Sequence, residues 1–212
     1  MLNDYHFEKL HVTSGLGTDV EVELPKKHQW LASPVNLTYD GLQFAANIPT
    51  EETFTIPAKY GVNGKVVASK PMICKSGPVS GAKFELKDGK IVKFEADEGE
   101  DRLKHIMSSD ENGLYLGEFA IVPYDTPISK SGLTYFNNLV DENSGCHMAV
   151  GNAYAKCLEG GVKMTDDELI HEGINVCSFH EDFIFGTLDT RIVGYTSDGQ
   201  EILIFDKGAY TI

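Results

Sequence analysis

The chain has 212 residues, of which 42% are hydrophobic and 24% are charged, a balance that is ordinary for a globular protein with one sizeable core. Its 32 acidic and 18 basic residues give a formal net charge of −14, which opposes nucleic acid binding and favours divalent cations or ammonium groups as partners. No run of eighteen apolar residues occurs, so we expect no membrane span and no membrane partner.

The N-terminal residues and the cysteines indicate the compartment. Asp4, His6 and Glu8 stand where a signal peptide would carry basic residues and then an apolar stretch, so we expect a cytoplasmic protein. The four cysteines are widely spaced, which favours reduced thiols over a disulfide framework. They are Cys74, Cys146, Cys157 and Cys177.

Strand patterns dominate the chain. Val20, Val22 and Leu24 alternate with Glu21 and Glu23, a period of two that places apolar side chains on one face of a strand. An Asp-Gly pair, which accepts positive φ at both central turn positions, joins each of two further strand pairs and predicts β-hairpins. These hairpins are predicted at residues 82–86 with 91–96 and at residues 191–195 with 201–206.

Helix patterns are fewer. Residues 99–108 carry apolar side chains on one helical face, and residues 165–172 open with the capping-box pattern of Thr165 and Glu168. No repeat, low-complexity segment or linker interrupts the chain. We therefore predict one domain of the α+β class, with a mainly antiparallel, strongly curved or partly open barrel-like sheet and a few helices.

Residues 113–122 predict a buried strand that carries a carboxylate. Both faces of its period-two pattern are apolar, and Glu118 lies on the face that Leu116 and Ala120 share. Burying an ionised carboxylate costs on the order of several kcal/mol unless a cation or hydrogen bonds compensate. A buried Lys or Arg could compensate, but the chain has few basic residues, which favours a metal ion.

His180 and Asp182 form a second polar pair in an apolar setting. The apolar residues at 179 and 183–185 predict a strand, and its period of two directs both polar side chains to one side. A His-x-Asp pair on a strand is a suitable clamp for zinc, cobalt or manganese. The alternative is a solvated pair on an edge strand.

His147 lies in a segment of small and apolar residues. If residues 145–154 form a helix, His147, Gly151 and Tyr154 share one face, and the phenol lies over whatever His147 binds. The alternative is a core histidine that is hydrogen-bonded to a backbone carbonyl, with Tyr154 contributing to packing.

Glu51 and Glu52 follow the turn expected at Pro49, and on a plain surface they would be solvated charges. Combined with the preceding candidates, one of these two glutamates completes a set of three carboxylates and two imidazoles, which is the ligand count and type of a two-metal hydrolytic site. A Cys₂His₂ structural zinc site is another possibility, although its ligand spacing is long and its adjacent Cys and His would point in different directions. Its ligands would be Cys146, His147, Cys177 and His180.

Four separated motifs occur in one order along the chain. They are Asn-Ile-Pro-Thr-Glu-Glu at 47–52, Gly-Glu-Phe-Ala at 117–120, Glu-Asn-Ser-Gly-Cys-His at 142–147 followed by Tyr154, and His-Glu-Asp-Phe at 180–183. With these motifs the chain resembles the M29 family of metallopeptidases, the thermophilic aminopeptidases, over nearly all its length.

The resemblance implies a homodimeric aminopeptidase that acts on peptides with a free N-terminus through two divalent metal ions. Zinc or cobalt is expected, and manganese or magnesium would also suit. The implied ligands are Glu52, Glu118, His147, His180 and Asp182. Glu51 could exchange roles with Glu52 if the local register differs. The resemblance also implies that Tyr154 contributes to catalysis.

The resemblance covers only the second half of the family's usual chain. We therefore expect residues 1–212 to form a single catalytic domain without the family's N-terminal α/β domain. Two functional hypotheses follow: an aminopeptidase, or a catalytically silent metal-binding fragment that needs an N-terminal partner domain. For the first, Glu51 is the candidate general base and Tyr154 the candidate donor to the oxyanion.

Overall fold

The computed structural model describes residues 1–32, 35–37, 40–45 and 48–212. The strands in this part of the chain are β1 Phe7–Thr13, β2 Asp19–Glu23, β3 Leu31–Ala32, β4 Val35–Leu37, β5 Gln43–Ala45, β6 Thr53–Thr55, β7 Val62–Val67, β8 Met72–Cys74, β9 Gly77–Val79, β10 Lys83–Lys87, β11 Lys90–Glu95, β12 Leu116–Ile121, β13 His147–Gly151, β14 His180–Ile184, β15 Arg191–Thr196, β16 Glu201–Asp206 and β17 Ala209–Tyr210. The α-helices are α1 Leu2–Tyr5, α2 Glu100–Met107, α3 Pro127–Ser131, α4 Asn138–Asp141 and α5 Asp166–His171, and 3₁₀ turns cover Glu142–Ser144, Ala155–Cys157 and Gly161–Lys163. No helix in the described ranges is long and apolar enough to cross a bilayer.

The strands form two large antiparallel sheets. One has eight strands in the order β11-β10-β7-β2-β1-β15-β16-β17, and the other has five in the order β14-β13-β12-β6-β3. Two further sheets have two strands each, β4-β5 and β8-β9. Neither large sheet closes into a barrel within the described residues. The prediction of an α+β fold with mainly antiparallel sheet and few helices is confirmed.

The predicted hairpins and helices are confirmed at nearly the predicted bounds. In the β10-β11 turn Asp88 and Gly89 have φ of 50° and 76°, the left-handed conformation that the Asp-Gly pair predicted. The β15-β16 pair forms the second hairpin. At α5, Thr165 accepts from the backbone of Glu168, whose side chain accepts from the backbone of Thr165 in return.

The main core lies between the two large sheets. Apolar side chains from both sheets belong to one buried cluster, as the alternating patterns of strands such as β2 require. Phe84 on β10 and Phe183 on β14 show the contact directly, with ring centroids 4.6 Å apart. One face of the five-stranded sheet is thus covered by the eight-stranded sheet. Its other face is left for other contacts.

A β-bulge corrects the prediction for β12. The regular alternation had placed Leu116 on the same face as Glu118, but the register with β13 shifts between these two residues. Leu116 consequently lies in the main core with Phe119 and Ile121. The intervening Gly117 packs closely against the backbone of Asn152, since a Cβ at residue 117 would lie 2.2 Å from the carbonyl oxygen of Asn152. The bulge leaves Glu118 on the face away from the core.

The conditional helix prediction around His147 was wrong. Residues His147–Gly151 form β13, the fully buried strand between β12 and β14. Neighbours on both sides satisfy its backbone, and its small and β-branched residues fit a strand that is covered on both faces. The face shared by His147 and Tyr154 on a helix therefore does not exist, although the two residues still lie near one site.

Candidate metal centre

The face of the five-stranded sheet that points away from the main core gathers the predicted ligands, because pairing in register places their side chains on one side. Glu118 on β12 lies opposite Ala149 on β13, which in turn lies opposite Asp182 on β14. Directly paired residues of antiparallel strands project to the same face. With a period of two along each strand, His147 and His180 project to that face as well.

The fourth strand adds Glu52. Phe54 on β6 pairs with Ala120, which lies on the same face as Glu118. Glu52 comes two residues before Phe54 and therefore shares its side of the sheet. Three carboxylates and two imidazoles, spread over about 130 residues of sequence, thus converge from four consecutive strands. The position of Asn47, at the start of the first motif, falls outside the described residues.

The first group of converging atoms centres on His147. Its Nε2 lies 3.0 Å from Oε2 of Glu52 and 3.3 Å from Oε1 of Glu118. The side chain of His147 is fully buried, and only 5% of the Glu118 side chain is exposed. These three residues form a compact set of possible ligand atoms.

The second group centres on His180. Its Nε2 lies 3.1 Å from Oδ1 of Asp182 and 3.7 Å from Oε2 of Glu118. Glu118 therefore belongs to both groups and directs one oxygen to each imidazole. A carboxylate that is shared in this way is suited to bridge two cations.

Both imidazoles are oriented by a backbone carbonyl. Nδ1 of His147 faces the carbonyl oxygen of Gly145 at 3.1 Å, and Nδ1 of His180 faces that of Asn152 at 2.7 Å. A carbonyl oxygen only accepts, so each Nδ1 must carry the proton. Nε2 of each ring faces the carboxylate cluster and is the nitrogen that would coordinate a metal once its proton is displaced.

Burial and the surrounding carboxylates shift the pKa values within the cluster. Burial raises the pKa of Glu118, with opposing effects from the two histidines. Burial opposes protonation of His180, but Asp182 and Glu118 raise the pKa of this imidazole to about 9. The pKa of His147 is likewise raised well above the ordinary range by Glu118 and Glu52, against the effect of burial. The concentrated negative charge therefore favours any cation at this face.

The atoms of the group around His147 are better placed to bind a metal ion than to form hydrogen bonds with one another. Although Oε2 of Glu52 and Nε2 of His147 are close, neither has a hydrogen-bond partner of acceptable geometry. Among the described residues, the ion pairs of the cluster involve only its own histidines, and no Lys or Arg takes part. Buried orphan atoms are rare unless another group satisfies them. The mixture of nitrogen and carboxylate ligands suits zinc, cobalt or manganese.

Glu51 lies beside the cluster but outside both groups. Its backbone N–H donates to Oδ1 of Asn143 at 2.6 Å, and its own Oε2 is buried without a hydrogen-bond partner. The oxygen that approaches His147 belongs to Glu52. Of the two adjacent carboxylates, Glu52 therefore has the geometry of a ligand, and Glu51 is left available for another role.

Tyr154 reaches the site without the predicted helix. It follows the end of β13, and its ring lies 4.8 Å from the His180 ring and 6.2 Å from that of Phe54. Burial, with the nearby carboxylates of Glu118 and Asp182, raises the pKa of the Tyr154 phenol. The phenol therefore remains a proton donor at neutral pH.

The structure does not support the Cys₂His₂ zinc hypothesis. Neither Cys146 nor Cys177 belongs to a converging ligand group of the described residues. The Cys146 thiol packs in the main core and donates to the carbonyl oxygen of Val122, and burial raises its pKa to about 11. All four cysteines are free thiols.

Sequence reasoning missed three polar residues beside the ligands. Asn138 donates to Asp182, Asn143 is fully buried against the segment before Glu52, and Glu142 is buried nearby. Burial, followed by the charges of Asp182 and Glu52, raises the pKa of Glu142 to about 8. For Glu142 and Asn143 the available signal was an unbroken run of polar residues from 141 to 144 shortly before an apolar segment.

Comparison with known proteins agrees with this geometry. Residues 1–210 match the family model described as thermophilic metalloprotease (M29). The chain is 43% identical to aminopeptidase AmpS of Bacillus subtilis (strain 168) over 98% of its own length and 50% of that protein. It is 36% identical to aminopeptidase T of Thermus aquaticus, covering all of this chain and 51% of the relative. The chain spans about half the length of the relatives that it matches.

Solved structures give the same result. AmpT from Thermus thermophilus superposes with a TM-score of 0.92 at 34% identity, over all of this chain and 51% of that one. A 2,5-dihydroxypyridine dioxygenase from Pseudomonas putida KT2440, at 14% identity and a TM-score of 0.61, shares the fold alone over 98% of this chain and 56% of its own. From the family match and these relatives, the chain belongs to the M29 family of thermophilic metalloproteases.

Proposed function

We propose that residues 1–212 form the metal-bearing catalytic domain of an aminopeptidase, which hydrolyses N-terminal residues from peptides at a pair of divalent metal ions. The observation that carries this proposal is the position of Glu118, whose two oxygens face two separate imidazoles. A single-ion site has no need for a carboxylate that is divided between two ligand groups. The names of the relatives, which are aminopeptidases, support the same reaction.

The two groups assign the ligands. Glu52, Glu118 and His147 would hold one ion, and Glu118, His180 and Asp182 the other. When bound, such ions lower the pKa of a coordinated water and polarise a carbonyl oxygen. Three carboxylates with two neutral imidazoles carry three negative charges, which two divalent cations more than balance. Zinc or cobalt is the expected metal.

Glu51 and Tyr154 would supply the remaining chemistry. Glu51 adjoins a ligand yet takes part in neither group, so its carboxylate is free to accept the proton of the attacking water. Tyr154 stacks beside His180 and stays protonated, so its hydroxyl can donate to the oxyanion that forms at the scissile carbon. The acidic surroundings would attract the ammonium group of a free peptide N-terminus. A homodimer stays a prediction of the family resemblance, and a cytoplasmic location stays a prediction of the N-terminal sequence.

The second candidate is a metal-binding domain without activity of its own. The chain spans about half the length of the relatives named aminopeptidases, so their activity does not by itself establish turnover by residues 1–212 alone. Such a protein would bind the same two ions through the same five residues. Turnover, measured separately from metal binding, therefore distinguishes the two candidates.

The experiment combines metal content with hydrolysis of a chromogenic leucine amide. We expect two ions per chain by elemental analysis, with leucine release that a chelator abolishes and zinc or cobalt restores. Glu118→Gln should lose both ions and the activity, whereas Glu85→Gln, an exposed glutamate on β10, should keep both. Two ions without turnover would support the silent domain. Fewer than two ions in the unsubstituted protein would contradict the dinuclear site.

A further inference from the structure

We propose that two asparagines on one short segment position the two metal groups separately, Asn138 by orienting Asp182 and Asn143 by fixing the chain before Glu52. This inference rests on the proposed dinuclear function. The segment consists of α4, Asn138–Asp141, and the 3₁₀ turn Glu142–Ser144 that follows it. Asn138 contacts the proposed ligand Asp182, and Asn143 contacts the chain just before the proposed ligand Glu52, so both would act as positioning residues.

Asn138 decides which oxygen of Asp182 faces the site. Its Nδ2 lies 2.7 Å from Oδ2 of Asp182, whereas Oδ1 of the same carboxylate faces Nε2 of His180 at 3.1 Å. An ionised carboxylate only accepts hydrogen bonds, so the amide nitrogen must be the atom that faces it. The hydrogen bond occupies one oxygen and stops rotation of the carboxylate. The other oxygen stays directed at the group that His180 and Glu118 complete.

Asn143 acts on the other group through the backbone. Its side chain is fully buried, accepts from the N–H of Glu51 at 2.6 Å and donates to the carbonyl oxygen of Pro49 at 3.3 Å. These bonds fix the chain immediately before Glu52, whose carboxylate approaches His147. Without them, Glu52 would stand on a segment that no longer holds a fixed distance from β13.

The segment itself is well anchored. The carboxylate of Asp141 is buried and accepts from the backbone N–H groups of Tyr135 and Asn137. Ser129 donates to the carbonyl oxygen of Ser144 at 2.7 Å, which ties the 3₁₀ turn to α3. Because its neighbours hold it in place, the segment can serve as a fixed reference for ligands on two different strands.

Different asparagines serve different groups, so their removal should have separable effects. Loss of a hydrogen bond to a ligating residue typically lowers metal affinity by about 10- to 100-fold. Asn138→Ala should therefore weaken the ion held with His180 by that factor and leave the ion held with His147 within about threefold. Asn143→Ala should show the reverse. A general loss of stability would weaken both ions alike.

The test is a titration of the metal-free chain with Co²⁺. Calorimetry measures the affinity of each of the two sites, and visible absorption detects the Co²⁺ bound at each. His147→Ala and His180→Ala identify which step and which absorption band belong to each group. Asn138→Asp keeps the size of the side chain but presents no donor to Asp182, so it should weaken the His180 ion at least as much as Asn138→Ala. Asn137→Ala is the matched control, since Asn137 is exposed and its side chain caps nothing.

The outcomes separate this inference from the proposed function. Suppose that the unsubstituted chain binds two ions. If Asn138→Ala and Asn138→Asp leave both metal affinities unchanged, or lower both affinities equally, the positioning role is wrong. If the unsubstituted chain binds fewer than two ions, the proposed function itself is wrong. Should Asn143→Ala fail to fold, the Asn138 variants decide the question alone, because Asn138 is only partly buried.

Discussion

Ala149 lies directly opposite Glu118 on the neighbouring strand, and both side chains project to the ligand-bearing face. On its other side Ala149 pairs with Asp182. Adjacent strands are about 4.8 Å apart, so the two carboxylates reach toward each other over a single methyl group. The small side chain of Ala149 therefore leaves the space between Glu118 and Asp182 that two cations would need.

Ala149→Val should abolish binding of at least one ion while the fold survives. The two added methyl groups occupy space between the carboxylates, and overpacking a buried position costs about 1–3 kcal/mol of folding stability. Calorimetric titration with Zn²⁺ measures the effect. Val150→Ile adds a methylene group on the core face of the same strand and should leave metal affinity unchanged. Normal affinity in Ala149→Val would place the ions elsewhere.

Tyr154→Phe should lower kcat on the order of 10²-fold, because it removes one donor to the oxyanion but retains the ring against His180. Metal content should not change. Steady-state hydrolysis of a leucine amide, with elemental analysis of the same sample, tests both statements. Tyr60→Phe is the control, since Tyr60 is exposed and packs near Lys59 instead. An unchanged kcat would remove the phenol from the reaction.

Glu51→Gln should lower kcat by about 10²- to 10⁴-fold with little effect on KM, as loss of a general base does. The amide keeps the size of the side chain, and the backbone bond to Asn143 is unaffected. Two ions should still bind, because Glu51 belongs to neither group. The exposed Glu201→Gln provides the comparison. Near-normal turnover in Glu51→Gln would assign the proton transfer to another residue.

Gly151→Ala should destabilise the fold by more than the same change in an open turn. Gly151 has φ of 100°, and a Cβ there would lie 2.2 Å from the carbonyl oxygen of Phe179. Gly199 has φ of 84° with no atom near its Cβ position, so Gly199→Ala reports the backbone cost alone, about 1–2 kcal/mol. Urea unfolding of both variants gives the difference. Equal losses would mean that the close approach to Phe179 does not contribute to the free energy of unfolding.

The fold should lose stability as pH falls below about 6.5, partly because of His28. Burial lowers the pKa of His28, although its bond to the Pro25 carbonyl opposes this effect. Above about 6.5 the imidazole is neutral in both the folded and unfolded chain; below it, only the unfolded chain readily takes the proton. Between pH 7.5 and 5.5 the Tm of His28→Gln should fall by less than the Tm of the unsubstituted chain. His171 is exposed, so the Tm of His171→Gln should fall as much as that of the unsubstituted chain.

The parts of the fold that local chemistry determines were predictable. The Asp88-Gly89 turn and the Thr165 capping box depend on neighbouring residues, so their patterns could be interpreted directly. The bulge at Gly117 was not predictable, because the close approach of Gly117 to Asn152 joins residues that are far apart in sequence. The strand at His147 was also missed, since a short run of small and apolar residues fits a helix or a buried strand equally well.

In the candidate site, too, some residues could be predicted from the sequence and others could not. Carboxylates and imidazoles in apolar segments identified four of the five converging residues, because burial of such groups requires compensation. The fifth, Glu52, was assigned through the family resemblance. Asn138 and Asn143 carry no charge, and uncharged amides in a polar loop give no comparable signal. Their contacts with Asp182 and with the Glu51 backbone join segments 44 and 92 residues apart. Only the tertiary structure reveals such contacts.

The two ligand groups differ in where their strands lie within the sheet. His147 is on β13, which has a partner on each side, whereas His180 and Asp182 are on β14, one of the two edge strands of the five-stranded sheet. Outer strands open locally at lower free energy than interior strands do. The two ions should therefore leave in a fixed order during dialysis against a chelator, the His180 ion first and the His147 ion after it.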